Sequence, residues 1–271
     1  MLIHYRIADP SGNTTLFVLD AVSPERRSAV ANTLLQASGV EQVGYLTMNP
    51  EQPIRVDMMG GEFCGNASRS AAAYALMNDG GSEGDYTVSC SGCDTPLHAQ
   101  ARKRADGRYD AYIEMPRPIR IDAVLVDVGG QPGRFYRVVL PGIVHFVHFG
   151  TDLERVDKDV FWQAIYEYAS DEGYAAFGMV LFDPRHLAML PAVYVTGTGT
   201  LYWENSCGSG SAAVAAVLAI LGKRNVSCTV AQPGGSIEIA AMYEPEQMPD
   251  ITIGGPVSFD AAGTMQLPPE D

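Results

Sequence analysis

Two stretches of this chain carry so little charge that they cannot lie on a surface. Gly65 to Asn78 and Gly208 to Leu221 are rich in alanine and have the length of helices. A helix that is apolar all round has to be enclosed, so a core must be built around each. The two are also related. Cys64-Gly-Asn-Ala-Ser-Arg-Ser-Ala-Ala-Ala-Tyr-Ala-Leu-Met lies over Cys207-Gly-Ser-Gly-Ser-Ala-Ala-Val-Ala-Ala-Val-Leu-Ala-Ile without a gap, with 5 of 14 positions identical. Their starts are 143 residues apart in a chain of 271, about half its length. That length suits two modest cores better than one of about 100–150 residues. The pattern predicts an α+β protein of two similar domains, each with strands wrapped around one buried central helix. The boundary is expected near Pro116 to Pro118.

Short apolar runs broken by Gly, Pro and Asp fill most of the remainder. Leu16 to Leu19, Tyr86 to Val88, Arg108 to Ile113, Phe135 to Leu140, Ile143 to Phe149 and Ala192 to Val195 have the length and residue types of strands. Two further helices are expected. Ser23 to Ser38 has Ser23 as N-cap, Pro24 in the first turn and Gly39 as its stop, and Asp157 to Ser170 is amphipathic.

The formal net charge of -14 would repel phosphate backbones and anionic lipid, which argues against nucleic-acid and membrane partners. The longest strongly apolar run, Ala212 to Leu221, is about half of the roughly 20 residues a membrane span needs. The opening Met1-Leu2-Ile3-His4-Tyr5-Arg6 has no basic region followed by an apolar run, and a cytoplasmic location is expected. Five cysteines are few and odd in number, so a disulfide framework is not expected.

Each uncharged helix starts with a thiol. The first helical turn has four N–H groups without internal acceptors, and the helix dipole favours negative charge there. That effect reaches up to about 2 kcal/mol when partly buried, and burial opposes it. On balance the thiols are expected to titrate near neutrality, where acid–base catalysis works best. The glycine after each cysteine allows close approach of a bound group, and the first-turn N–H groups suit a carboxylate. A lone Cys-Gly reads most simply as a small buried hydrophobe. Two such starts, half a chain apart, suit two thiols facing one carbon from opposite sides, one removing the α-hydrogen and the other returning a proton.

At these residues the chain resembles the diaminopimelate epimerase fold family, which uses such a cysteine pair without pyridoxal phosphate or metal. The resemblance rests on Pro10-Ser-Gly-Asn13, Glu62-Phe-Cys-Gly-Asn-Ala67, Cys207-Gly-Ser-Gly210 and Pro233-Gly-Gly235, and runs over nearly the whole chain. Within the fold it is most similar to the histidine racemase branch of staphylopine-type metallophore biosynthesis. That likeness lies in Glu41-Gln-Val-Gly44, Val88-Ser89 with Ser91-Gly-Cys93, Trp203-Glu-Asn-Ser-Cys-Gly-Ser-Gly210 and Gln232-Pro-Gly-Gly-Ser-Ile237. It implies two pseudo-symmetric domains, each a mostly antiparallel sheet or barrel around its helix. These are residues 1–116, joined by a terminal segment of about 258–271, and 117–257. It also implies a cofactor-independent racemase interconverting L- and D-histidine, with Cys64 and Cys207 as acid and base. Gly65, Asn66, Gly208 and Ser209 would offer N–H groups to the α-carboxylate. Asn13 falls where the fold has a substrate-contacting Asn, and Glu41 and Glu204 lie in motifs specific to the branch.

The departures from diaminopimelate epimerase are as informative. Its Gly-Asn-Pro-His stretch reads Gly142-Ile143-Val144-His145 here, and the stretch leading to Trp203, Thr196-Gly-Thr-Gly-Thr200, holds no Arg. No bidentate partner for a distal carboxylate is left there, which implies a substrate with a single amino-acid head. His145 is a further candidate for lining the site. No metal or other cofactor is expected, the partner is a small amino acid, and a homodimer is possible. Other readings stay open: an epimerase acting on another amino acid or a diaminopimelate-like compound, a non-catalytic amino-acid-binding protein, or a thiol redox protein using Cys90 and Cys93. The Cys90-Ser-Gly-Cys93 motif has no second pair and follows an expected strand, which favours a structural role.

Overall fold

The structure, a computed structural model, describes residues 2–150, 152–197 and 199–267. It divides into two compact units, Met1–Glu114 with Gly254–Asp271, and Met115–Ile253. Of the terminal segment assigned to the first domain, residues 268–271 lie outside the described residues. The first unit begins with β1 (Leu2–Asp9), β2 (Thr15–Val18), α1 (Pro24–Ser38), β3 (Gln42–Thr47), β4 (Ile54–Met58), α2 (Gly65–Asp79), β5 (Glu83–Cys90), β6 (Leu97–Lys103) and β7 (Tyr109–Met115). The second holds β8 (Arg120–Val128), β9 (Gln131–Leu140), β10 (Ile143–Phe149), α3 (Lys158–Ala169), β11 (Ala176–Asp183), β12 (Ala188–Val195), β13 (Thr200–Trp203), α4 (Gly208–Gly222), β14 (Val226–Gln232) and β15 (Gly235–Met242). The chain then runs through β16 (Asp250–Phe259) into β17 (Gly263–Gln266), back in the first unit.

Antiparallel pairing dominates both units. In the first, β1 pairs with β2, β16 and β17, and β3–β4, β5–β6 and β6–β7 are antiparallel. The pairs β2–β3 and β4–β5 are parallel. A parallel pair needs a crossover, and here α1 and α2 supply it. The second unit repeats the device: β10–β11 is parallel across α3, and β12 meets β14 in parallel across α4. The fold is α+β, as expected. Several strands run longer than their apolar cores suggested. Tyr86 to Val88 is the middle of β5, and Ala192 to Val195 is the second half of β12. Hydrogen-bonded pairing carries a strand past its buried positions into exposed polar residues.

The two uncharged helices are enclosed. Every residue from Gly65 to Leu76 of α2 is buried, against β1, β4, β5 and β6. Gly208 and Gly210 to Val217 of α4 are buried against β9, β10, β11, β14 and β15. Alanines on all sides let strands approach from several directions. α2 stops at Gly80, whose left-handed φ of +70° lets its N–H reach Leu76 O at 3.1 Å. The other two helices have a wet face. α3 is capped by Asp157, which accepts from the N–H groups of Asp159 and Val160, and Trp162 stacks on Phe177 at 5.8 Å. Ser23 takes the N-cap backbone conformation of α1 but makes no side-chain cap bond. No helix among the described residues is long and apolar enough to cross a membrane.

One charge breaks the rule of α2. Arg69 is fully buried. Its Nε donates to Asn66 Oδ1 at 3.1 Å, Nη1 to Gly255 O at 3.0 Å and Pro256 O at 3.3 Å, and Nη2 to Pro10 O at 3.1 Å. The guanidinium thereby ties the central helix to the chain's late return and to the loop after β1. Arg69→Met keeps the volume and strands those acceptors. Urea unfolding should show a loss of about 3 kcal/mol or more, whereas a loss under about 1 kcal/mol would mean that the clamp adds little.

Candidate active site

In the first unit, Cys64 is the N-cap of α2, with φ −130° and ψ 107°. Its Sγ accepts the Ala67 N–H at 3.4 Å. The Gln42 carboxamide lies beside it, with Nε2 at 3.3 Å and Oε1 at 3.6 Å. An amide so placed donates to a thiolate or accepts from a thiol. Gln42 Nε2 is also 2.9 Å from Asn13 Oδ1 and 2.8 Å from Thr15 Oγ1. Asn13 Nδ2 donates to Glu41 Oε2 at 2.7 Å, and Asn66 Nδ2 donates to Asn13 Oδ1 at 3.3 Å. One network therefore gathers Cys64, Asn66, Asn13 and Glu41. Asn13 and Asn66 are buried, Glu41 is exposed, and Gly65 is buried as the first residue of α2.

In the second unit, Cys207 caps α4 in nearly the same conformation, φ −121° and ψ 111°. Its Sγ accepts the Gly210 N–H at 3.4 Å and lies 3.6 Å from Ser209 Oγ. Ser209 Oγ is in turn 2.8 Å from His145 Nε2. Cys207, Ser209 and His145 thus form a chain of polar contacts, and Gly208 opens the helix between them. His145 is fully buried on β10, and its Nδ1 has no hydrogen-bond partner among the described residues. Gly178, next to it on β11, makes room for the ring: a Cβ there would lie 2.6 Å from Nδ1. His148, three residues on, faces the other way and meets Arg134 O at 2.8 Å. Glu204 is half-buried, and its charge acts on Cys207.

The expected near-neutral thiols are not found. Burial, the largest influence, pushes both Cys64 and Cys207 up to about 12. The Ala67 N–H and Gln42 pull Cys64 down, while Cys90 and Glu62 push it further up. Glu204 raises Cys207, and Ser209 and the Gly210 N–H lower it. A rise from 9 to about 12 disfavours the thiolate by about 4 kcal/mol. A helix terminus returns at most about 2 kcal/mol. The dipole argument had the right sign and too small a size.

Three contributors, Gln42, Gln232 and Arg69, lay outside the residues singled out from sequence. Gln42 and Gln232 stand inside the quoted motifs but had no role assigned. Gln232 Oε1 accepts the Cys207 N–H at 2.8 Å. Of the Cys-x-x-Cys pair, Cys90 is buried, while Cys93 is partly exposed and bonds Thr95 O at 3.3 Å. Arg69 had a signal of its own, as the single charge between Gly65 and Asn78.

A profile described as the histidine racemase CntK N-terminal domain matches residues 2–266. The chain belongs to the histidine racemase family. A histidine racemase of Fusobacterium nucleatum is 29% identical over 265 residues, 96% of this chain and 94% of the relative. A diaminopimelate epimerase of Xanthomonas axonopodis is 29% identical over 212 residues, 72% of this chain and 69% of its own. Among solved structures, a hydroxyproline epimerase from Agrobacterium vitis with bound trans-4-hydroxy-L-proline superposes with a TM-score of 0.70 at 13% identity, covering 97% of this chain and 92% of that one. The fold is thus that of the diaminopimelate epimerase group, and the chain is an isomerase, an amino-acid racemase.

Burial holds the His145 imidazole down at about 4, so it is neutral at physiological pH. A depressed histidine contributes stability that is fully present above about pH 6.5 and is lost as pH falls toward 4. Between pH 7 and pH 5 this group alone should remove about 2 kcal/mol. Denaturant titrations at the two pH values should show a smaller acid loss in His145→Gln than in the parent chain. Equal losses would mean that the ring is protonated without penalty.

Proposed function

We propose that this racemase interconverts L- and D-histidine, with Cys64 and Cys207 as its acid–base pair. The observation that carries the reading is the repeated cap. In each unit a cysteine Sγ accepts a first-turn N–H of an alanine-rich, enclosed helix, in a chain of the histidine racemase family. One cysteine, as thiolate, takes the α-hydrogen. The other, as thiol, delivers a proton to the opposite face. The carbon is inverted, the two sulfurs exchange protonation states, and no other reagent is consumed.

The negative charge that develops on the deprotonated substrate spreads onto its carboxylate. Gly65, Asn66, Gly208 and Ser209 lie in the first turns of their helices, where N–H groups point toward the helix end. They are suited to that charge. Glu41, held by Asn13, and Glu204 are the carboxylates for the α-ammonium and the imidazole N–H. Ser209, backed by neutral His145, presents to Cys207 a hydroxyl that accepts from a thiol or donates to a thiolate.

Incubation of the purified protein with L-histidine in deuterated water should give D-histidine carrying α-deuterium. Cys64→Ala and Cys207→Ala should each abolish it. Full racemisation by either variant would end the two-thiol scheme, and turnover of a different amino acid in a substrate panel would replace histidine. Because the resting thiols sit at about 12, deprotonating one becomes easier as pH rises. The pH profile of kcat/KM should therefore climb from about pH 7 to 9 without levelling. A plateau beginning near neutrality would show that the free enzyme already holds a thiolate.

A further inference from the structure

In a capping box, the Glu or Gln at the third helical position reaches back to the N–H of the N-cap residue. Cys207 is the N-cap of α4, and the third helical residue is Gly210, which has no side chain to reach with. A Cβ on Gly210 would crowd the sulfur, at 3.3 Å from Cys207 Sγ and 3.2 Å from Val180 Cγ2. The reactive sulfur and the usual capping partner compete for one space. Gln232, the last residue of β14 and 25 residues further on, supplies the missing group from a strand. Its Oε1 accepts the Cys207 N–H at 2.8 Å, its Nε2 donates to Ser211 Oγ at 2.9 Å, and Ser211 Oγ donates to Cys207 O at 2.7 Å. This closed ring holds Cys207 by both its N–H and its carbonyl, and all three residues are buried. The turn from β14 to β15 fastens the approach to the helix as well: the Gly234 N–H donates to Asn205 O at 2.8 Å, two residues before the cysteine.

We infer that Gln232 is a positioning residue for Cys207, completing the cap of α4 from a neighbouring strand so that the sulfur stays over the Gly210 N–H and beside Ser209. The inference rests on the proposed role of Cys207 as one of the reactive pair. With its N–H and carbonyl both tied, Cys207 keeps φ −121° and ψ 111°, and rotation about Cα–Cβ is the freedom left to the sulfur. Without the carboxamide, the Cys207 N–H becomes a buried donor in need of an acceptor. The segment before α4 then shifts to satisfy it and carries the sulfur off its seat. Burial is the largest influence holding this thiol protonated, ahead of the opposing help from Ser209 and the Gly210 N–H. A displaced, better-solvated sulfur therefore reacts faster with a small reagent while it serves the substrate less well. The Cys64 cap is built from other groups, Gln42 and the Ala67 N–H.

The test is the rate at which iodoacetamide alkylates each cysteine of the full chain, read peptide by peptide by mass spectrometry. Gln232→Met keeps the volume and removes both hydrogen bonds. It should raise the Cys207 rate by about threefold or more, the weight of a modest hydrogen bond, and leave the Cys64 rate unchanged. Ser211→Ala, which removes the group that orients the carboxamide, should raise the Cys207 rate too and serves if Gln232→Met does not fold. Combined with Gln232→Met it should add less than it does alone, as befits two members of one ring. With histidine, kcat should fall further than KM changes in Gln232→Met. An unchanged or lower Cys207 rate, or equal rises at Cys207 and Cys64, would overturn the inference, since a merely structural role loosens both thiols together. Alkylation needs no turnover, so a parent chain that fails to racemise histidine would lose its proposed substrate while the hold of Gln232 on Cys207 is still measured.

Discussion

Burying a helix on all sides leaves its first-turn N–H groups away from water, and each buried donor needs an acceptor. In α2 and α4 the acceptor is a cysteine sulfur, met by the N–H three residues on. Much of the rest follows from that requirement. Strands reach the helix from several sides because alanine leaves them room. The crossovers β4–α2–β5 and β12–β13–α4–β14 run through the core and bring the start of each helix to the end of a strand. Ser68 and Ser211 then turn back to the cysteine carbonyl, and the cap becomes rigid enough to hold a sulfur in one place.

The same enclosure sets the electrostatics. Low dielectric disfavours a thiolate more than the helix end favours it, so both sulfurs rest as thiols. In the proposed reaction a zwitterionic amino acid would change that balance, its ammonium favouring a thiolate and its carboxylate suiting helix-end N–H groups. The supporting groups in each unit respond to either protonation state: the Gln42 amide has a donor and an acceptor near Cys64, and the Ser209 hydroxyl is both near Cys207. His145 keeps that hydroxyl in place without adding charge, because burial holds the ring neutral.

The central helices were legible to within a residue, since alanine runs with almost no charge permit one environment and a Cys-Gly start marks the cap. Asp157 was legible as a cap for the same local reason. Strand ends were less so: β9 starts at Gln131, four residues before its apolar core, because pairing with β8 depends on a partner 3 to 19 residues away and not on local composition. Of the site, the cysteines and the Asn13–Glu41–Asn66 cluster lay in recognisable motifs. Gln42 and Gln232 act on groups distant in sequence, and no spacing rule reports such contacts. The thiol pKa went astray because burial was given too little weight against the helix end, and its extent is set by strands folded around the thiol from elsewhere in the chain.

The hydrogen-bond register of β1 ties the first unit to the last stretch of the chain: Leu2 faces Gln266, Ile3 faces Met265, and Asp9 faces Ser258. The second unit is one uninterrupted segment, Met115–Ile253. On a ribosome, every residue of that segment emerges before β1 meets its outer partners. The half that is made first is thus finished last, and loop closure across nearly the entire polypeptide slows its assembly. Until then β1 and β2 wait as a hairpin with an open edge, the part of the nascent chain most in need of protection from mispairing.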